Sequence, residues 1–209
     1  REHPLWQAGC AWLGRDPESA DPGHAPPFAM APWRYGFHAT LKAPMRLRDG
    51  LGEAEFLARV QGFAQARQPF ALPRLGVSRL KDFMVLQPVA AIDPAHPLRA
   101  LADACVTELD DCRRPFDAAE LEARSAAIAD AAGVAQLRRW GYPHVLGRWR
   151  FHLTLSDPGH GGDPSLFVRA KRHFETPLTV PAQVDAIALF RETAVGAPLD
   201  LLRRLAMAR

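Results

Sequence analysis

A five-residue pattern that occurs twice constrains the folding of this 209-residue chain more than any other feature. Phe37-His38-Ala39-Thr40-Leu41 and Phe151-His152-Leu153-Thr154-Leu155 both read Phe-His-x-Thr-Leu, and their histidines are 114 residues apart. On a strand, residues i and i+2 share a face. Each copy therefore sets an imidazole beside a hydroxyl on one face, and its Phe, Ala or Leu, and Leu bury the other. A pattern repeated at this separation predicts an internal repeat with two related lobes. If the two strands meet as symmetry mates or across a groove, two histidines and two threonines converge on one cleft.

The rest of the chain mixes helix and strand. Residues 1–14 read as a short helix and 15–32 as a loop rich in Pro, Gly and Asp. Alternation from Trp33 to Leu41 predicts a strand ended by Pro44. Helical spacing returns over 49–67, strands over 70–79 and 83–89, and helices from Pro97 to Cys112 and over 117–139, with a break near Gly133. A second alternating strand covers 146–156. A helix at 164–175, a strand from Val184 to Phe190 and a final hairpin strand from Leu199 to Met207 complete the order. With no Gly-rich strand-to-helix turn, this order predicts an α+β fold with antiparallel sheets.

Composition excludes several classes. At 48% apolar and 23% charged, the chain is ordinary globular material rather than disordered. No apolar run approaches the ~20 residues of a membrane span, and no signal peptide is evident at the start, so a cytoplasmic protein is expected. A net charge of +3 is too weak by itself to imply nucleic acid. Cys10, Cys105 and Cys112 show no C-x-x-C spacing, which fits reduced thiols rather than a disulfide scaffold or a zinc ribbon.

Two imidazoles and two hydroxyls suit phosphate-ester chemistry. One neutral histidine can take a proton from water while the other, charged, gives one to the departing oxygen. Thr40 and Thr154 can hold the non-bridging oxygens. His38, Thr40, His152 and Thr154 are the candidate catalytic residues. His-x-Thr lacks a second metal ligand at the usual spacing, so neither metal nor cofactor is expected. Arg34, Lys42, Arg148 and Arg150 share the strand faces of the histidines and can pair with phosphate. Arg150 and Lys42 are favoured, although basic residues at strand ends also commonly reach into solvent. Tyr142 and His144, in the loop entering the second strand, are candidates for the mouth of the site. His3, His24, His96, His160 and His173 have no matched context and are expected to be non-catalytic. Trp33 and Tyr35 fall on the face opposite His38 and are expected in the core.

The twin His-x-Thr motifs resemble those of the 2H phosphoesterase superfamily. The strings from Arg34 to Pro44, Trp140-Gly141-Tyr142-Pro143, Arg150 to Leu155 and Ala188 to Glu192 are similar to one branch of it, bacterial proteins encoded with phosphonate-utilisation genes. The resemblance implies a bilobal α+β domain over 1–209 with pseudo-twofold symmetry, two antiparallel sheets flanking a central groove and helices outside. One lobe would span about 33–90, the other about 146–209 with the N-terminal segment, and a helical connection about 97–140. It implies a monomeric, metal-independent phosphodiesterase opening a small cyclic phosphodiester, such as a phosphorylated ribose 1,2-cyclic phosphate. Two other readings stay open at this point. One is a 2′,3′-cyclic or 2′-5′ phosphodiesterase acting on RNA or nucleotides, which the modest charge disfavours. The other is a phosphate- or nucleotide-binding module that has lost turnover.

Overall fold

The computed structural model describes residues 2–19 and 21–208, and the chain divides into two compact units. The first contains Arg1–Ala39, Ala64–Ile92 and Phe151–Arg209; the second contains Thr40–Phe63 and Asp93–Arg150.

The architecture is mixed α and β, with every sheet antiparallel. All named strands lie in the first unit. Strands β1 (Phe70–Ala71) and β5 (Gln183–Val184) pair with each other. Strands β2 (Leu75–Leu80) and β3 (Phe83–Pro88) form a tight hairpin, turned at Lys81 with φ 53°, and β4 (Leu153–Thr154) adds to the other edge of β3. Strands β6 (Ala186–Glu192) and β7 (Leu199–Ala206) make a second hairpin. The described residues thus form three small sheets rather than two.

The core of the first unit follows from apolar periodicity. Helix α1 (Pro4–Leu13) begins at the favoured Pro, is capped by His3 Nδ1 accepting from the Leu5 amide, and ends at Gly14 with φ 69°. It buries Leu5, Trp12 and Leu13. Helix α7 (Pro164–Phe174), capped by Asp163, buries Leu166, Ala170 and Phe174. Met84, Val85 and Leu86 of β3 are fully buried. Trp12 packs on Phe28 and Phe174, and its indole N–H donates to the Leu155 carbonyl at 2.8 Å.

The second unit is helical: α3 (Glu53–Gln65, shared at its end with the first unit), α4 (Pro97–Thr107), α5 (Ala118–Ser125) and α6 (Ala131–Trp140). His96 caps α4 as His3 caps α1, by accepting from the amide two residues on. Asp110 gathers cations in this unit. Arg113 binds it through two nitrogens at 2.8 and 3.0 Å, Lys42 at 3.4 Å and Arg139 at 3.3 Å. Burial works to raise the Asp110 pKa, but Arg113 and Lys42 hold it below the usual carboxylate value.

Three local expectations are corrected. Residues Met30–Tyr35 form a short helix, α2, rather than the start of a strand, and Phe37–Leu41 belongs to no strand. The second motif keeps only Leu153–Thr154 in a ladder, because Leu146–Arg148 winds into a 3₁₀ turn with Leu146 at φ 51°. The break between α5 and α6 falls before Asp130, which caps α6, so Gly133 sits inside a helix. Among the described residues no helix is long and apolar enough to cross a membrane. The three cysteines are free thiols.

Candidate functional site

His38 lies in the first unit, three residues beyond the end of α2. Gly36, at φ 75° and ψ 175°, turns the chain out of the helix, a conformation that favours glycine. Phe37, only 3% exposed, anchors the segment against α1 and stacks on Phe174 with ring centroids 6.2 Å apart. That approach needs Gly9, since a Cβ there would lie 2.2 Å from the Phe37 ring. With Phe37 fixed, the half-buried imidazole of His38 lies beside the rings of Tyr35 (5.9 Å) and Phe190 (6.1 Å). Its Nδ1 is 2.9 Å from the Gly36 carbonyl. A carbonyl only accepts, so this bond holds the proton on Nδ1 and leaves Nε2 as the ring's second functional nitrogen.

His152 lies in the same unit, half-buried, two residues before Thr154. Thr154 is fixed on β4 opposite Val85. Phe151, Leu153 and Leu155 are buried between them, as alternation requires. The two imidazoles are near enough that a charge on His152 disfavours one on His38. Burial lowers the His38 pKa most, the Gly36 bond acts to raise it, and His152 lowers it further.

This depression has a definite sign. An imidazole harder to protonate folded than unfolded contributes its full stability above the ordinary value of about 6.5, and that contribution falls as pH drops from there to the folded value. In an NMR titration, His38 should titrate below free histidine. His152→Ala should raise its pKa without restoring the ordinary value, because burial remains. Titration of His38 at or above the free value would contradict this placement.

The remaining candidates are placed as follows. Arg34, on α2, lies over the Tyr35 ring at 4.8 Å, forms an ion pair with Glu192 and donates to the Gly196 carbonyl at 3.0 Å. Thr40, Lys42, Tyr142, His144, Arg148 and Arg150 belong to the second unit. There the Thr40 carbonyl accepts from the Trp149 indole at 3.0 Å. Lys42 donates to the Val106 carbonyl at 3.2 Å and pairs with Asp110; burial pushes its pKa down, against the pull of Asp110. Arg148 makes a two-pronged pair with Asp130 at 3.0 and 2.8 Å. Tyr142 and His144 are exposed and meet edge to face at 5.7 Å, and Arg150 is exposed.

Tyr35 was expected opposite His38 and instead lies beside it. Alternation was carried across a helix end, where it does not hold. Gly36, isolated inside the alternating run, is the signal that marked the turn. Phe190 had no local signal tying it to His38, since it comes from a hairpin far along the chain. Among the described residues no group of three or more His, Cys, Asp or Glu is placed to hold a metal ion.

Residues 40–200 match a family described as "Protein of unknown function (DUF1045)". Two curated relatives are each 36% identical. A protein of Janthinobacterium sp. (strain Marseille) named ribose 1,5-bisphosphate phosphokinase PhnN aligns over 98% of this chain and 48% of its own length. A protein of Laribacter hongkongensis (strain HLHK9) with the same name aligns over 95% and 48%. The chain thus spans about half the length of the curated relatives it matches. No solved structure matches it. The PhnN-named relatives link the chain to phosphonate-utilisation genes, as the resemblance implied. They overturn the expected activity. A phosphokinase is a transferase that moves a phosphoryl group, whereas the expected enzyme was a hydrolase opening a phosphoric diester. The cyclic phosphodiesterase, in its small-molecule and RNA-directed forms, is therefore withdrawn.

Proposed function

The chain belongs to the DUF1045 family, and from that footing we propose that it recognises a small phosphorylated sugar, a phosphorylated ribose, in the service of the phosphoryl transfer for which its relatives are named. The sugar's phosphate lies against the imidazoles of His38 and His152, with the Thr154 hydroxyl as a further donor. The observation that carries this is the pair of imidazoles within electrostatic reach of each other in one unit, one of them with its Nδ1 proton already committed to a backbone carbonyl. With its Nδ1 proton so committed, His38 offers an N–H to a phosphate oxygen only when Nε2 takes up a proton, and the charged donor so formed makes the stronger bond. A bound anion also relieves the mutual repulsion that opposes protonation. The likeness of the twin His-x-Thr motifs to those of the 2H phosphoesterases supports a phosphate ester as ligand. The 209 residues contain no Gly-x-x-x-x-Gly-Lys-Ser/Thr string, the loop that cradles nucleotide phosphates in P-loop enzymes.

The test is a titration of the histidine ring signals with ribose 1,5-bisphosphate, ribose 5-phosphate, inorganic phosphate and ribose. The phosphorylated sugars should bind, raise the His38 pKa and outcompete unphosphorylated ribose. Histidine signals unmoved by millimolar ribose phosphates would refute the proposal.

A further inference from the structure

Helix α2 has six residues, fewer than two turns, and its N-cap residue Ala29 offers no side-chain acceptor. A helix this short does not persist by itself. Yet it sets the position of Tyr35, Gly36 and through them His38. Two distant side chains hold it at its ends.

At the N-terminus stands Asp157, five residues beyond His152. Its carboxylate accepts from the Met30 and Ala31 amides, both at 2.7 Å, and its own amide donates to the Phe28 carbonyl at 2.7 Å. Asp157 is itself fixed through its neighbour. The fully buried Ser156 accepts from the Met84 amide on β3 at 2.9 Å and donates to the Asp157 carbonyl at 3.0 Å. At the C-terminus stands Arg15, 6% exposed. One of its terminal nitrogens donates to the Trp33 and Arg34 carbonyls at 3.0 and 2.5 Å; the other donates to Leu199 O at 2.6 Å. Leu199 opens β7 opposite Glu192, on the strand whose Phe190 lies beside His38. The signs match the helix: a carboxylate on the first amides, a guanidinium on the last carbonyls.

We infer that Asp157 and Arg15 are positioning residues that clamp α2 at both ends and so set the His38 imidazole beside Tyr35 and Phe190. Asp157 carries the position of the second motif to the helix that leads into the first, and Arg15 ties that helix to the hairpin bearing Phe190. Their role in ligand binding rests on the proposed reading of His38 as a phosphate contact. The positioning itself is measurable without ligand.

The experiment records histidine ring ¹⁵N signals of the free, full chain in wild type, Arg15→Ala, Asp157→Ala, and the milder Arg15→Lys and Asp157→Asn. Wild type should show His38 with its proton on Nδ1. Each alanine variant should reduce that form and shift the His38 titration. The milder variants should do so by a smaller amount, which keeps the test open if an alanine variant fails to fold. Ribose 5-phosphate affinity should fall on the order of tenfold, as when supporting contacts behind binding groups are removed. Unchanged His38 signals in folded variants would overturn the inference. Signals that move as stated, in a wild-type protein that binds no ribose phosphate, would uphold the clamp and sink the binding proposal alone.

Discussion

His38→Ala and His152→Ala should each weaken binding of ribose 1,5-bisphosphate by about 10- to 150-fold. A hydrogen bond to a charged group is worth about 1.5–3 kcal/mol, and each 1.4 kcal/mol is tenfold in affinity. Both imidazoles face the same anion in the proposed complex, so the losses should not add in the double variant. Once one ring is gone, the other meets no competing charge and can reorient. Calorimetric titration of the three variants against wild type gives the cycle. Full affinity in either single variant, at matched melting temperature, would show that the paired histidines are structural.

Phe37→Ala should produce the largest loss of stability, about 3–5 kcal/mol, the range for truncating a buried aromatic residue. Its ring is 3% exposed, is stacked on Phe174, and fills the space that Gly9 leaves on α1. Removing it opens a cavity bordered by a helix and a fully buried ring, neither of which can collapse freely. Gly9→Ala attacks the same contact from the other side. Its added methyl group would overlap the Phe37 ring and should cost about 1–3 kcal/mol through overpacking. Denaturant unfolding measures both. A loss below about 1 kcal/mol in Phe37→Ala would mean the ring is not a core residue, since only surface changes are usually that mild.

Much of the scaffold was legible because its causes are local. The β2–β3 hairpin announces itself by an apolar run beyond Lys81-Asp82, and α7 by Asp163-Pro164 before a clear apolar stripe. The hairpin partner β7 followed from the turn before it, against its helical propensity. In the second motif the expected burial of Phe151, Leu153 and Leu155 is met, whereas in the first only Phe37 is buried and Ala39 and Leu41 are not, because no strand forms there. The α+β character with antiparallel pairing, seen in all three sheets, followed from element order alone.

What alternation could not decide was settled by groups far away in the chain. Trp33 to Leu41 has a strand's pattern, yet Met30–Tyr35 is helical because the Asp157 carboxylate meets its first amides and the Arg15 guanidinium its last carbonyls. Neither partner lies within the reach of a periodicity window, and a charged hydrogen bond at each end outweighs the small per-residue difference in propensity. The same limit governed the basic residues. Lys42 and Arg148 looked ready for phosphate, but Asp110 and Asp130, brought up by folding, are the anions they hold. The sequence by itself determined which residue types face inward over most elements and that two histidines share one local pattern. Only the tertiary structure decided which rings lie beside His38 and which charges are already spent, because those contacts join residues whose separation in the chain carries no periodic signal.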